Sequence, residues 1–203
     1  MATDIDGVLK NIRAFADPRG KSVIHVGAGG GQLVGYGQDA RSVLCVDSDP
    51  EAIATLKEAV RDAGLEDHYR VVQCAFESLE ETADMVFFEF CLHEMDDPAR
   101  ALRHARTLAD EIVVLDHVPE SPWSWYTCEE RKAELSWDAV CRFGIHRAIS
   151  FKTTQNFKSY PQLALKVLPL GGQAIERIGG LSGQRNIKID MKYALALLRG
   201  RAA

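Results

Sequence analysis

The chain has 203 residues, 46% of them hydrophobic and 26% charged, with five cysteines and a formal net charge of −5. That length suits one domain with a well-filled core, the balance excludes a disordered chain, and the mild acidity leaves no basic footprint for nucleic acid. No apolar run approaches the roughly 20 residues of a membrane-spanning helix, and Met1-Ala2-Thr3-Asp4-Ile5-Asp6 lacks an apolar leader core, so a cytoplasmic protein without a membrane partner is expected. The cysteines are odd in number and form no Cys-x-x-Cys pair, which fits reduced thiols rather than a disulfide framework.

Ile5, Val8, Leu9, Ile12 and Phe15 keep helical spacing up to the break at Asp17-Pro18-Arg19-Gly20. A strand at about 21–26 then runs into the glycine-dense turn Gly27-Ala28-Gly29-Gly30-Gly31, and a second strand at about 42–46 stops at Asp47. Asp49-Pro50-Glu51 reads as a helix cap, first-turn proline and first-turn acid, with Ile53, Leu56 and Val60 on one face and a stop at Gly64. Further strands are expected at about 69–74, 84–88 and 112–115, with a helix opened by Asp97-Pro98 between the last two. Alternation of strand and helix predicts a doubly wound α/β fold whose parallel sheet is covered on both faces. Ligands in such sheets bind beyond the carboxyl ends of the strands, where Gly27, Asp47, Cys74, Glu89 and Asp116 converge.

The pattern changes after residue 118. Pro119 to Tyr126 reads as an aromatic connection, and Thr127-Cys128-Glu129-Glu130 has the form of a capping box opening a helix. A short helix near 160–168 and two strands at about 173–178 and 186–191 complete the chain, the strands forming a terminal antiparallel hairpin. Residues 1–203 are thus expected to be a single domain with a helical and aromatic insertion at about 118–170.

Gly27-x-Gly29-x-Gly31, with Gln32 where the dinucleotide fingerprint wants glycine, resembles motif I of the class I S-adenosylmethionine-dependent methyltransferases. Phe88 to Pro98, continuing through Ala101-Leu102 to Asp116, resembles motif IV onward of the small-molecule type of that family. The resemblance implies a seven-stranded, mostly parallel sheet ending in an antiparallel hairpin. It also implies S-adenosylmethionine as cofactor and a small-molecule methyl acceptor as partner. Oligomeric state stays open, a homodimer being one option. Two other readings compete: an NAD(P)-dependent oxidoreductase, and a non-catalytic protein that binds S-adenosylmethionine.

The resemblance implies cofactor contacts from Gly27, Gly29, Gly31, Asp47, Ser48 and Glu89, with Asp47 taking the ribose hydroxyls. Three features depart from the family pattern, one of them the missing Pro-Gly-Gly turn before the fifth strand, where Ala109-Asp110-Glu111 stands. His25 stands where an acid normally precedes the first glycine, and Ala75 and Phe76 stand where an acid normally reaches the adenine; all three are expected at the cofactor. His93 and His117 are the candidate general bases, because imidazole titrates near neutrality. Trp123, Trp125 and Tyr126 are candidate substrate walls. Glu89, His93, Asp116 and His117 are chemically able to hold a metal, but their spacing singles out no site and none is assigned.

Overall fold

The computed structural model describes residues 4–199. A seven-stranded sheet runs in the order β3-β2-β1-β4-β5-β7-β6. The strands are β1 (Ser22–Val26), β2 (Ser42–Asp47), β3 (Tyr69–Gln73), β4 (Met85–Glu89), β5 (Glu111–His117), β6 (Ile145–Ser159) and β7 (Arg185–Arg199). The first five are parallel, whereas β7 runs antiparallel to both β5 and β6. Chain order reverses between β1 and β4, and this switch point opens a crevice at the carboxyl ends.

Burial on both faces follows from alternation along each strand. Val23, Val43, Met85 and Val113 belong to one core with helices α1 (Ile5–Phe15), α2 (Pro50–Asp62), α4 (Pro122–Thr127), α6 (Tyr160–Val167) and α7 (Gly172–Ile178). Ile24, Leu44, Val86 and Ile112 belong to the other, covered by α3 (Pro98–Leu108) and α5 (Glu130–Phe143). Helix starts follow the expected chemistry. Asp49 accepts the Glu51 N–H at 2.9 Å and Asp97 accepts the Arg100 N–H at 2.8 Å, each ahead of a first-turn proline.

Three expectations about the last third of the chain are corrected. The hairpin pairs β6 with β7, and the expected strand at 173–178 is helix α7, because Ala174 and Ile178 sit one turn apart and both bury. The stretch taken as a wholly helical and aromatic insertion contains β6, an edge strand with little buried surface and therefore a faint pattern. Thr127 caps nothing downstream: it ends α4, and α5 begins after Glu129 without a side-chain cap. Among the described residues, no helix is long and apolar enough to cross a membrane.

Candidate active site

Three glycines of the turn after β1 adopt left-handed backbone, at φ +67° for Gly27, +49° for Gly29 and +76° for Gly31. Their reasons differ. A Cβ on Gly27 would meet the Cys91 Cβ at 2.3 Å and one on Gly31 would meet the Ala59 Cβ at 2.6 Å, whereas one on Gly29 finds its nearest atom at 3.8 Å. Gly31 therefore serves the packing of the turn on α2, and it lines neither cavity described below. Gly29 faces open space beside a carboxylate, since its N–H donates to Asp47 Oδ2 at 3.0 Å. Asp47 Oδ1 accepts the Asp49 N–H at 3.0 Å, so both carboxylate oxygens are oriented and each keeps a free lone pair.

Two cavities flank this turn. A groove of about 440 Å³ is lined by Asp47, Ser48, Ala75, Phe76 and Met95. A second cavity, of about 270 Å³, is walled by Gly29, Glu89, His93, His117, Trp123 and Glu129 among others. Gly27, Phe90 and Glu94 border both. Phe90 holds φ +45°, a conformation that bulky side chains avoid, at the point where β4 feeds the crevice. Its ring lies 4.8 Å from that of His117.

His25 is 2% exposed and lines neither cavity. Its Nε2 instead meets Glu89 Oε2 at 2.6 Å, so a carboxylate from the end of β4 is held by the histidine behind it. Burial alone would depress the His25 ring, but hydrogen bonds to Cys45 and Glu89 outweigh it and raise the pKa to about 10. Burial pushes the Glu89 carboxyl up, while His25 pulls it back down.

At the end of β5, Asp116 is fully buried. Its Oδ1 meets His93 Nδ1 at 2.5 Å and accepts the His117 N–H at 2.9 Å, while Oδ2 accepts the His93 N–H at 3.0 Å. Burial disfavours the charged His93 ring, yet Asp116 and Glu94 overcome it and lift the pKa to about 10. Burial dominates at His117 and drops its pKa to about 3. The two rings stand edge to face, with centroids 5.3 Å apart.

Of the three aromatics expected as a substrate wall, Trp123 lines the cavity and stacks on Phe157 at 5.8 Å. Trp125 is 46% exposed beneath the Arg177 guanidinium, and Tyr126 packs against the core. Phe76 lines the groove, but its ring is engaged edge-on by Phe88 at 5.2 Å and His104 at 5.1 Å. Sequence reasoning missed Glu129, whose Oε2 accepts the Thr127 hydroxyl at 2.6 Å on the cavity wall. The Thr-x-x-Glu spacing pointed to Glu130 instead.

The glycine cradle, the oriented Asp47 and the nucleoside-sized groove fit S-adenosylmethionine. The family described as "Methyltransferase domain" matches residues 24–111. No curated protein matches the sequence. Among solved structures, a candidate methyltransferase from Bacillus halodurans C-125 superposes with TM-score 0.68 at 14% identity, covering 97% of this chain and 100% of that one. The YcgJ protein from Bacillus subtilis gives 0.68 at 17% identity, covering 98% and 100%. A SAM-dependent methyltransferase from Aquifex aeolicus gives 0.58 at 17% identity, covering 96% and 89%. Residues 24–111 are thus similar to a methyltransferase domain, and the chain shares its fold with these structures, one of them an S-adenosylmethionine-dependent methyltransferase.

Proposed function

We propose that this protein transfers the methyl group of S-adenosylmethionine to a small-molecule acceptor held in the 270 Å³ cavity. The observation that carries the reading is the junction of groove and cavity at Gly27, Phe90 and Glu94, which sets a nucleoside-sized compartment against a second one. When bound, the cofactor supplies a methyl group activated by a sulfonium. The acceptor's lone pair forms the new bond to carbon as the carbon–sulfur bond breaks, its electron pair staying on sulfur.

Placement and charge are the protein's contributions. Asp47 accepts the ribose hydroxyls, and Ser48, Ala75 and Phe76 wall the adenine end of the groove. Glu89, fixed by His25, offers negative charge to the methionine end beside Gly27 and Gly29. His93 and His117 face the acceptor; His117, kept neutral by burial, is the ring with an unpartnered nitrogen to take its proton, while Asp116 holds the protonated His93 ring in place. Trp123 gives a flat apolar wall.

Calorimetric titration tests this. S-adenosylhomocysteine should bind in the micromolar range and NADH should give no heat; the reverse pattern overturns the reading. Asp47→Ala should weaken S-adenosylhomocysteine by about tenfold, or about 1.4 kcal/mol. Unchanged affinity would remove the ribose assignment. A screen of small metabolites with a labelled methyl donor then identifies the acceptor.

A further inference from the structure

The acceptor cavity gathers more ligating chemistry than methyl transfer by itself needs. One donor atom each from His93, His117 and Glu129 lies within 4.8 Å of the others, and all three side chains are buried on the cavity wall. They come from three elements, the turn after β4, the end of β5 and the link between α4 and α5, so no sequence spacing announces them. We propose that these three residues bind a divalent transition-metal ion, of the kind represented by zinc, cobalt or manganese, which in turn binds the methyl acceptor.

Four observations favour a cation over a self-contained hydrogen-bond cluster. His117 Nδ1 is buried and, among the described residues, has no hydrogen-bond partner. A self-sufficient network would satisfy every member, because an orphaned buried polar atom is costly. Asp116 clamps His93 through Nδ1 at 2.5 Å, the carboxylate–histidine arrangement that orients metal-binding imidazoles, and leaves Nε2 with only the longer 3.3 Å contact to Glu94 Oε1, which an ion would displace. The Thr127 hydroxyl holds Glu129 Oε2 at 2.6 Å in the same supporting manner, and the carboxylate also meets Glu94, a pairing of two acids that a cation would relieve. The wall also carries three carboxylates, Glu89, Glu94 and Glu129, of which His25 engages the first and Lys132 the second, while Lys166 is the one lysine or arginine among its described lining residues.

Two imidazoles and one carboxylate suit borderline divalent ions better than magnesium or calcium, which prefer all-oxygen sites. Three protein ligands leave coordination positions open toward the cavity, as in catalytic rather than structural sites. An acceptor oxygen or nitrogen bound there becomes more acidic and loses its proton near neutral pH. That role rests on the cavity being the acceptor site; the binding of the ion does not.

The test uses cobalt(II) as the probe, on full-length protein stripped of metal with a chelator and with no cofactor or acceptor present. One cobalt per chain should bind with visible ligand-field absorption, and added zinc should displace it. Glu129→Gln and His117→Ala should each weaken cobalt by at least about tenfold, and Asp116→Asn by about 10–100-fold. S-adenosylhomocysteine titrated into the same samples separates the two readings. Protein that binds the nucleoside but shows no cobalt spectrum overturns the metal site alone, and protein that binds cobalt but no nucleoside overturns the cofactor assignment alone. Equal cobalt affinity in Glu129→Gln and His117→Ala also overturns the site. Should a variant fail to fold, the wild-type spectrum still decides.

Discussion

Gly29 and Gly31 share a left-handed backbone but do different work, and replacing each by alanine separates the two. Gly31→Ala combines conformational strain at φ +76° with a Cβ placed 2.6 Å from the Ala59 Cβ and 3.1 Å from Leu56 Cδ1. Left-handed strain costs about 1–2 kcal/mol and overpacking about 1–3 kcal/mol, so the variant should lose about 2–5 kcal/mol. For a chain of this size that corresponds to a fall in Tm of about 4–20 °C, at about 2–4 °C per kcal/mol. Gly29→Ala carries the strain alone, because its Cβ has nothing closer than 3.8 Å, and should lose about 1–2 kcal/mol. Its methyl group projects beside Asp47 on the cavity wall, so S-adenosylhomocysteine affinity should fall by about tenfold or more. Urea denaturation and calorimetry on both variants measure the contrast. A Gly31→Ala protein of native stability with impaired binding would refute the division, as would a Gly29→Ala protein less stable than Gly31→Ala.

Tyr36, 1% exposed, donates its hydroxyl to the Ala16 carbonyl at 2.8 Å; Tyr36→Phe leaves that acceptor unpaired and should cost about 1–3 kcal/mol in urea denaturation, and no loss would show that the carbonyl finds another donor. His25 titrates near 10 in the folded protein against about 6.5 unfolded, so its contribution is fully present below about pH 6.5 and is lost as pH rises through about 10. Stability should therefore decline from pH 7 to 10, and less steeply in His25→Gln, with His93 supplying the slope that remains. Identical slopes in the two proteins would show that the His25 ring does not hold its proton in the fold.

Strands buried on both faces announce themselves, which is why Val23–Val26, Val43–Val46 and Ile112–Leu115 were legible as apolar runs with Gly27, Asp47 and Asp116 after them. The Asp-Pro helix starts were equally plain, since cap and proline act locally. What escaped depends on contacts between distant segments. β6 has one edge unpaired and much of its length exposed, so burial leaves little pattern in Ile145–Ser159. Gln173 to Ile178 does not alternate: Ala174, Ile175 and Ile178 keep helical spacing, too short a run to decide by itself, and the docking of Ala174 and Ile178 on the core fits the helix. Gly31 matched a binding motif but is required by Ala59, twenty-eight positions away in sequence. Glu129 joined the site through the reversal of the chain between α4 and α5, which a left-handed Cys128 at φ +62° permits.

His25, where the resemblance expects an acid, shows how a neighbouring strand can bring a carboxylate to a position that β1 itself does not supply. In the parallel pair of β1 and β4, His25 stands opposite Phe87. Glu89 lies two residues further along β4, hence on the same face of the sheet, and at the strand end its carboxylate is free to turn back onto the ring. With its pKa raised to about 10, the His25 ring holds a proton near neutral pH, so it both orients the Glu89 carboxylate at 2.6 Å and offsets its charge. Glu89 then lines the cavity beside Gly27 while His25 stays buried behind it, so a carboxylate from β4 stands at the crevice although β1 carries none.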